Sequence, residues 1–236
     1  MGHRLEVKDL VLRYGRSGFT LQADHVAFPP GVHFLVGRNG AGKSSLLRVL
    51  AGLERPAKGE ITLDGVHVSG RDTWRAYRAA SGYLHQDFAV RGRASVRAFA
   101  RYGAWLRGVP NADLGARTDD VLETVGLTAT AAQRASRLSG GMQRRLGLAV
   151  EMSNRPFVYL LDEPSSGLDY EARAAVHAVV ERALESGAVV VVASHDDAEL
   201  NRYSDATYHL VRDGWVSTSP AASGDVTVEH LLGGDR

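Results

Sequence analysis

Residues 4–12 and 19–28 place apolar side chains at the spacing of half-buried strands and predict a strand pair. After the turn Pro29-Pro30-Gly31, the apolar run Val32–Val36 predicts a buried strand that feeds a glycine-rich stretch. A helical pattern through Leu46, Leu47, Val49 and Leu50 follows. Gly59 to Val68 alternates apolar and polar residues around Asp64-Gly65, a hairpin signal. The middle of the chain is helical in pattern: Ser95–Arg107, then Thr118–Val125, separated by the breaker Gly108-Val109-Pro110-Asn111. Phe157–Leu161 and the valine-rich Ala188–Ala193 predict two more buried strands, with a helix over Glu171–Glu185 between them. Strands alternating with helices predict an α/β fold with a parallel sheet.

These elements divide the chain into an α/β core with a β lobe at about 1–86 and 156–218 and an inserted helical lobe at about 87–155. A short tail occupies 219–236, and the whole makes a single domain. No internal repeat interrupts this plan, and Trp74 and Trp105 are expected only to pack locally.

Composition narrows the function. An apolar fraction of 44% and a charged fraction of 23% belong to a folded globular protein. Lys+Arg 28 against Asp+Glu 27 gives a net charge of +1, which offers no pull toward nucleic acid. There is no cysteine, so disulfides, thiol catalysis and Cys-zinc sites are excluded. The longest apolar run, Ala188–Ala193, is far below the roughly 20 residues of a membrane span. The opening residues Met1–Glu6 carry neither a secretory apolar region nor a myristoylation pattern.

The chemistry lies in three places. Gly37-Arg38-Asn39-Gly40-Ala41-Gly42-Lys43-Ser44, between a strand and a helix, is a complete phosphate-loop pattern. Its glycines allow close backbone approach, its amides and helix N-terminus face an anion, Lys43 neutralises phosphate oxygens and Ser44 offers a hydroxyl to Mg²⁺. Asp162 and Glu163 end the strand Val158–Leu161. Asp162 suits Mg²⁺, directly or through water, and Glu163 suits the polarisation of an attacking water. GTPases carry an Asn-Lys-x-Asp element, and none of the three lysines (Lys8, Lys43, Lys58) has that setting, so adenine nucleotide is expected. Ser139-Gly140-Gly141-Met142 opens another helix, with Ser139 as N-cap and bare amides behind it, a second anion site. Two such sites on separate lobes are explained by two chains placed head to tail.

With these motifs in this order, the chain resembles the ATP-binding subunit of ABC transporters. The resemblance implies a P-loop NTPase core with a parallel sheet, an antiparallel β lobe and an inserted helical lobe. It implies ATP and Mg²⁺ as ligands and ATP hydrolysis coupled to transport. Gly37–Ser45 would bind phosphate, Tyr14 would stack on adenine, and Gln86 would touch Mg²⁺ with Ser44 and Asp162. Glu163 would be the catalytic base, and Lys43 and His195 would assist at the γ-phosphate. Ser139, Gly140, Gly141, Met142 and the Asp169 of Ser166-Gly167-Leu168-Asp169 would contact ATP held by an opposite subunit. A separate transmembrane permease and a second nucleotide-binding subunit are the implied partners, with no nucleic acid. Location would be cytoplasmic, peripheral on the membrane through the permease. Met142 in place of the commoner glutamine points to the drug and antibiotic exporter type. The alternative is a soluble member serving an assembly complex, such as iron–sulfur cluster assembly.

Overall fold

The computed structural model describes residues 2–14, 19–165, 169–203, 206–212 and 214–219. One ten-stranded sheet organises them, in the order β5-β4-β1-β2-β10-β9-β3-β8-β7-β6. Its strands are β1 (Leu5–Tyr14), β2 (Phe19–Phe28), β3 (Gly31–Val36), β4 (Lys58–Leu63) and β5 (Val66–His67), then β6 (Ser81–Leu84), β7 (Val158–Asp162), β8 (Val189–Ala193), β9 (Thr207–Arg212) and β10 (Trp215–Ser219). The helices are α1 (Lys43–Leu50), α2 (Gly70–Ala79), α3 (Val96–Leu106), α4 (Leu114–Thr124), α5 (Gly140–Met152), α6 (Tyr170–Glu185) and α7 (Asp197–Leu200).

Strands β9, β3, β8, β7 and β6 are parallel neighbours, whereas β1 pairs antiparallel with both β2 and β4. The two halves form one sheet because β10 pairs antiparallel with β9 and meets β2 through Trp215 and Gln22. The expected mixture of parallel and antiparallel strands is present. Asp64 and Gly65 both take positive φ, the backbone twist a two-residue hairpin between β4 and β5 requires.

Strand β8 and residues Val158–Leu161 of β7 read as unbroken apolar runs because both their faces are covered. In β8, Val190 and Val192 face the core shared with α3–α6, while Val189, Val191 and Ala193 face the core shared with α1 and α2. Strand β7 alternates in the same way: Tyr159 and Leu161 to the first core, Val158 and Leu160 to the second. This period of two directs Asp162 toward α1.

Ser95 caps α3 by accepting a hydrogen bond from the Ala98 amide (3.1 Å), and α4 begins four residues before the stretch the pattern marks. Helix α2 carries only two buried side chains, Trp74 and Tyr77. Trp74 packs as expected, at 6.0 Å from Tyr77, whereas Trp105 is half exposed and stacks on Tyr102. Inside the sheet a buried histidine pair joins three elements. His33 Nε2 donates to the Pro29 carbonyl (2.7 Å), its Nδ1 meets His209 Nε2 (3.2 Å), and His209 Nδ1 meets the Thr218 hydroxyl (3.1 Å).

Candidate functional site

Strand β3 ends beside β9, and the glycine-rich loop turns from there into α1. Gly37 is needed at the turn for a packing reason: a Cβ there would lie 2.2 Å from the Val211 carbonyl oxygen. Gly42 precedes α1 in the left-handed conformation at φ 108 and offers no side-chain cap, so the first-turn amides of α1 stay open. A Cβ on Gly40 would meet nothing within 4 Å, so the loop tip borders open space. Lys43 is buried and folds back over its own loop, its Nζ donating to the carbonyls of Gly37 (2.7 Å) and Arg38 (3.3 Å). Burial lowers its pKa from the ordinary lysine value, and the nearby carboxylates of Glu163 and Asp162 work in the opposite direction.

The direction of Asp162 set by β7 meets Ser44 at the start of α1. The Ser44 hydroxyl donates to Asp162 Oδ1 at 3.0 Å, and the Tyr83 hydroxyl lies 3.4 Å from Oδ2. Burial, and next the charge of Asp162, push the Tyr83 phenol upward. Glu163 follows with φ 49, an uncommon conformation for a residue with a side chain, and its amide continues the ladder to the Ala193 carbonyl (2.9 Å). His195, two residues past β8, places Nδ1 at 2.9 and 2.8 Å from the two Glu163 carboxylate oxygens. Strands β7 and β8 are neighbours with Asp162 opposite Ala193, which is why these side chains meet.

A cavity of about 550 Å³ lies over this arrangement. Asn39, Gly40, Gly42, Lys43, Ser44, Ser45, Gln86, Glu163 and His195 line it, together with Phe19 and Arg48. Four segments distant in sequence therefore converge at the C-terminal ends of parallel strands, where open α/β sheets hold ligands. The hydroxyl of Ser44 and the carboxylate of Asp162 are hard oxygen donors of the kind Mg²⁺ takes. The open amides and Lys43 fit a polyphosphate. A neighbouring cavity of about 620 Å³, bordered by Arg38, Ala41, Val211 and Trp215, has neither the carboxylates nor Lys43 and is not a candidate for this chemistry.

The other sequence-derived candidates lie apart. Ser139 accepts the Met142 amide (3.3 Å) as N-cap of α5, and Ser139, Gly140, Gly141 and Met142 do not line the cavity. Asp169 caps α6 by accepting the Ala172 amide at 2.9 Å and is likewise absent from the cavity wall. Tyr14 ends β1, but its side chain lies outside what the structure describes, as do Ser166, Gly167 and Leu168. Sequence reasoning missed Phe19, Arg48, Tyr83 and Arg144. Phe19 had one signal, its place across from Tyr14 in the strand pair. Tyr83 and Arg144 reach the site from β6 and α5, and no local pattern marks either.

Residues 23–166 match the family described as ABC transporter. The chain is 36% identical over 205 residues to the sulfate/thiosulfate import ATP-binding protein CysA of Mycobacterium tuberculosis, covering 84% of this chain and 56% of that protein. It is 34% identical to the methionine import ATP-binding protein MetN of Thermobifida fusca (86% and 65% covered). It is 35% identical to the Fe(3+) ions import ATP-binding protein FbpC 2 of Rhodococcus jostii (87% and 59% covered). The chain thus spans little more than half to about two thirds of the length of these relatives. Among solved structures, cbiO1 from Clostridium perfringens, part of the ABC transporter complex cbiONQ, superposes with a TM-score of 0.78 at 25% identity, covering 99% of this chain and 92% of that one. An ATP binding subunit of an ABC transporter gives 0.79 at 25% identity, with 97% and 93% covered. The P-loop NTPase core is the shared fold.

Proposed function

We propose that this chain, which belongs to the ABC transporter family, binds Mg-ATP and hydrolyses it to drive a separate transmembrane permease. The observation that carries the reading is the meeting of Lys43, Ser44, Glu163 and His195 around one cavity, with Asp162 beneath it. Lys43 exchanges its two loop carbonyls for the β- and γ-phosphate oxygens. Ser44, Asp162 and Gln86 are the residues that would hold Mg²⁺, which supplies charge neutralisation across the phosphates when bound. Glu163 orients the attacking water and accepts its proton. His195, within hydrogen-bond reach of that carboxylate, fixes its orientation and offers a donor to charge developing at the γ-phosphate. Catalysis here is mainly positioning and electrostatics.

Ser139–Met142 and Asp169 stand away from this cavity, which favours their serving the site of an opposing nucleotide-binding subunit in a closed dimer. Among the described residues no helix is long and apolar enough to cross a membrane. Attachment to the cytoplasmic face through a permease follows from the proposed role. The exporter direction expected from Met142 has no support in the comparisons. The curated relatives named above are import proteins, and the proposal is for a transport motor without an assigned direction. No observation favours the assembly-complex alternative.

Replacing the base tests the reading. Glu163→Gln keeps the size of the side chain but not its basicity, so ATP binding is expected to persist while turnover falls about 10²- to 10⁴-fold. ATPase assays beside nucleotide-binding titrations read both quantities, and wild-type turnover in Glu163→Gln overturns the assignment.

A further inference from the structure

The structure assigns Arg144, on the second turn of α5, as a positioning residue that holds the main chain of Glu163 in its working geometry, with the Gln86 carbonyl as the other anchor of its guanidinium; this rests on the reading of Glu163 as the base. Arg144 lines no part of the cavity, yet its guanidinium reaches three backbone carbonyls on two segments of it. Nη1 donates to the Gln86 carbonyl at 2.6 Å. Nη2 donates to two successive carbonyls, Asp162 at 2.8 Å and Glu163 at 2.7 Å.

That second contact is informative. In an extended strand successive carbonyls point opposite ways, so one nitrogen can serve both only where the chain kinks. The kink is Glu163, which has φ 49 although it carries a side chain and precedes Pro164, two conditions that disfavour this conformation. The kink turns the carboxylate toward His195. Arg144 thus bonds the carbonyls on both sides of the kinked residue, and the Ala193 carbonyl accepts its amide. The same helix pins the segment after Gln86 at a second point, where the Val90 amide donates to Gln143 Oε1 at 2.8 Å. Arg144 is half-buried and its Nε has no partner, so the side chain is fixed through its two Nη atoms. A lysine is a single point donor and cannot span both segments as the planar fork does.

The test is steady-state ATPase kinetics and ATP binding on the full chain for Arg144→Ala, Arg144→Lys, Glu163→Gln and the double variant Arg144→Ala/Glu163→Gln. Displacement of a catalytic group by about 1 Å can cost up to about 100-fold, so kcat in Arg144→Ala is expected to fall roughly ten- to hundredfold. Arg144→Lys should lie between it and wild type, and ATP affinity should hold. Since the proposed action runs through Glu163, Arg144→Ala should slow the Glu163→Gln protein no further. Wild-type kcat in Arg144→Ala overturns the inference. So does loss of ATP affinity in step with kcat, or additive slowing in the double variant, because either is what a general packing role produces. If Arg144→Ala fails to fold, Arg144→Lys carries the same three readouts, alone and combined with Glu163→Gln. Normal turnover in Glu163→Gln would remove the base assignment itself. A slow Glu163→Gln beside a normal Arg144→Ala would remove only the role given to Arg144.

Discussion

At the residue scale the site depends on which way single side chains point. The Ser44 hydroxyl and Asp162 meet at 3.0 Å because β7 alternates and α1 begins where β3 ends. A hydroxyl hydrogen-bonded to a charged group contributes about 1.5–3 kcal/mol, roughly a tenfold or larger change in an equilibrium. Ser44→Ala is therefore expected to raise the Mg²⁺ concentration for half-maximal ATPase activity about tenfold, leaving the fold intact by circular dichroism. An unchanged Mg²⁺ titration would remove Ser44 from the metal site. Lys43 bears differently on the same pocket. Its ammonium is bonded to two loop carbonyls, so ligand phosphate competes with contacts that already exist, and the loop is held in shape beforehand.

At the element scale, caps give the cleanest stability test. Ser95 caps α3 away from the cavity, and Ser95→Ala is expected to cost about 1 kcal/mol in urea unfolding with kcat unaltered. A loss of activity without loss of stability would contradict a purely structural cap. The same scale shows what was legible in the sequence. Val189–Ala193 and Val158–Leu161 announced themselves because strands covered on both faces are apolar throughout. The loop Gly37–Ser44 was legible because its chemistry is carried by contiguous residues. Helix α2 was not, because Trp74 and Tyr77 are its only buried positions amid Arg71, Asp72, Arg75 and Arg78. Strands β9 and β10 were hidden because His209, polar in the sequence, is fully buried, while Trp215 is half exposed. Arg144 was illegible in principle: its three acceptors are backbone carbonyls of residues 86, 162 and 163, which no side-chain pattern encodes.

At the scale of the whole molecule, the buried histidine pair ties stability to pH. Burial, and then the neighbouring His33, push His209 down to about 3, and burial also lowers His33. Neutral rings suit the observed contacts, since His33 Nε2 donates to Pro29 and leaves Nδ1 to accept from His209. The unfolded chain therefore binds more protons than the folded one between an ordinary histidine pKa of about 6.5 and about 3. The stability contributed by His209 is complete above that upper limit and is lost as pH falls through the window. Glu151 and Glu199, raised by burial, act in the opposite direction, so the decisive quantity is a difference. Denaturant unfolding at pH 7 and pH 5 should show a smaller acid loss in His209→Gln than in wild type, and equal losses would sink this account.

The order of the sheet has one more consequence, and it concerns time rather than energy. Among the described residues, strand β6 is an edge strand bonded only to β7, while β7 and β8 are bonded on both sides, and β6 runs almost directly into Gln86. An edge of four residues can detach without opening the interior ladder. In deuterium the amides of β6 should thus exchange well before those of β7 and β8. The segment bearing Gln86 would then report motions that the strand ends bearing Asp162 and His195 do not share.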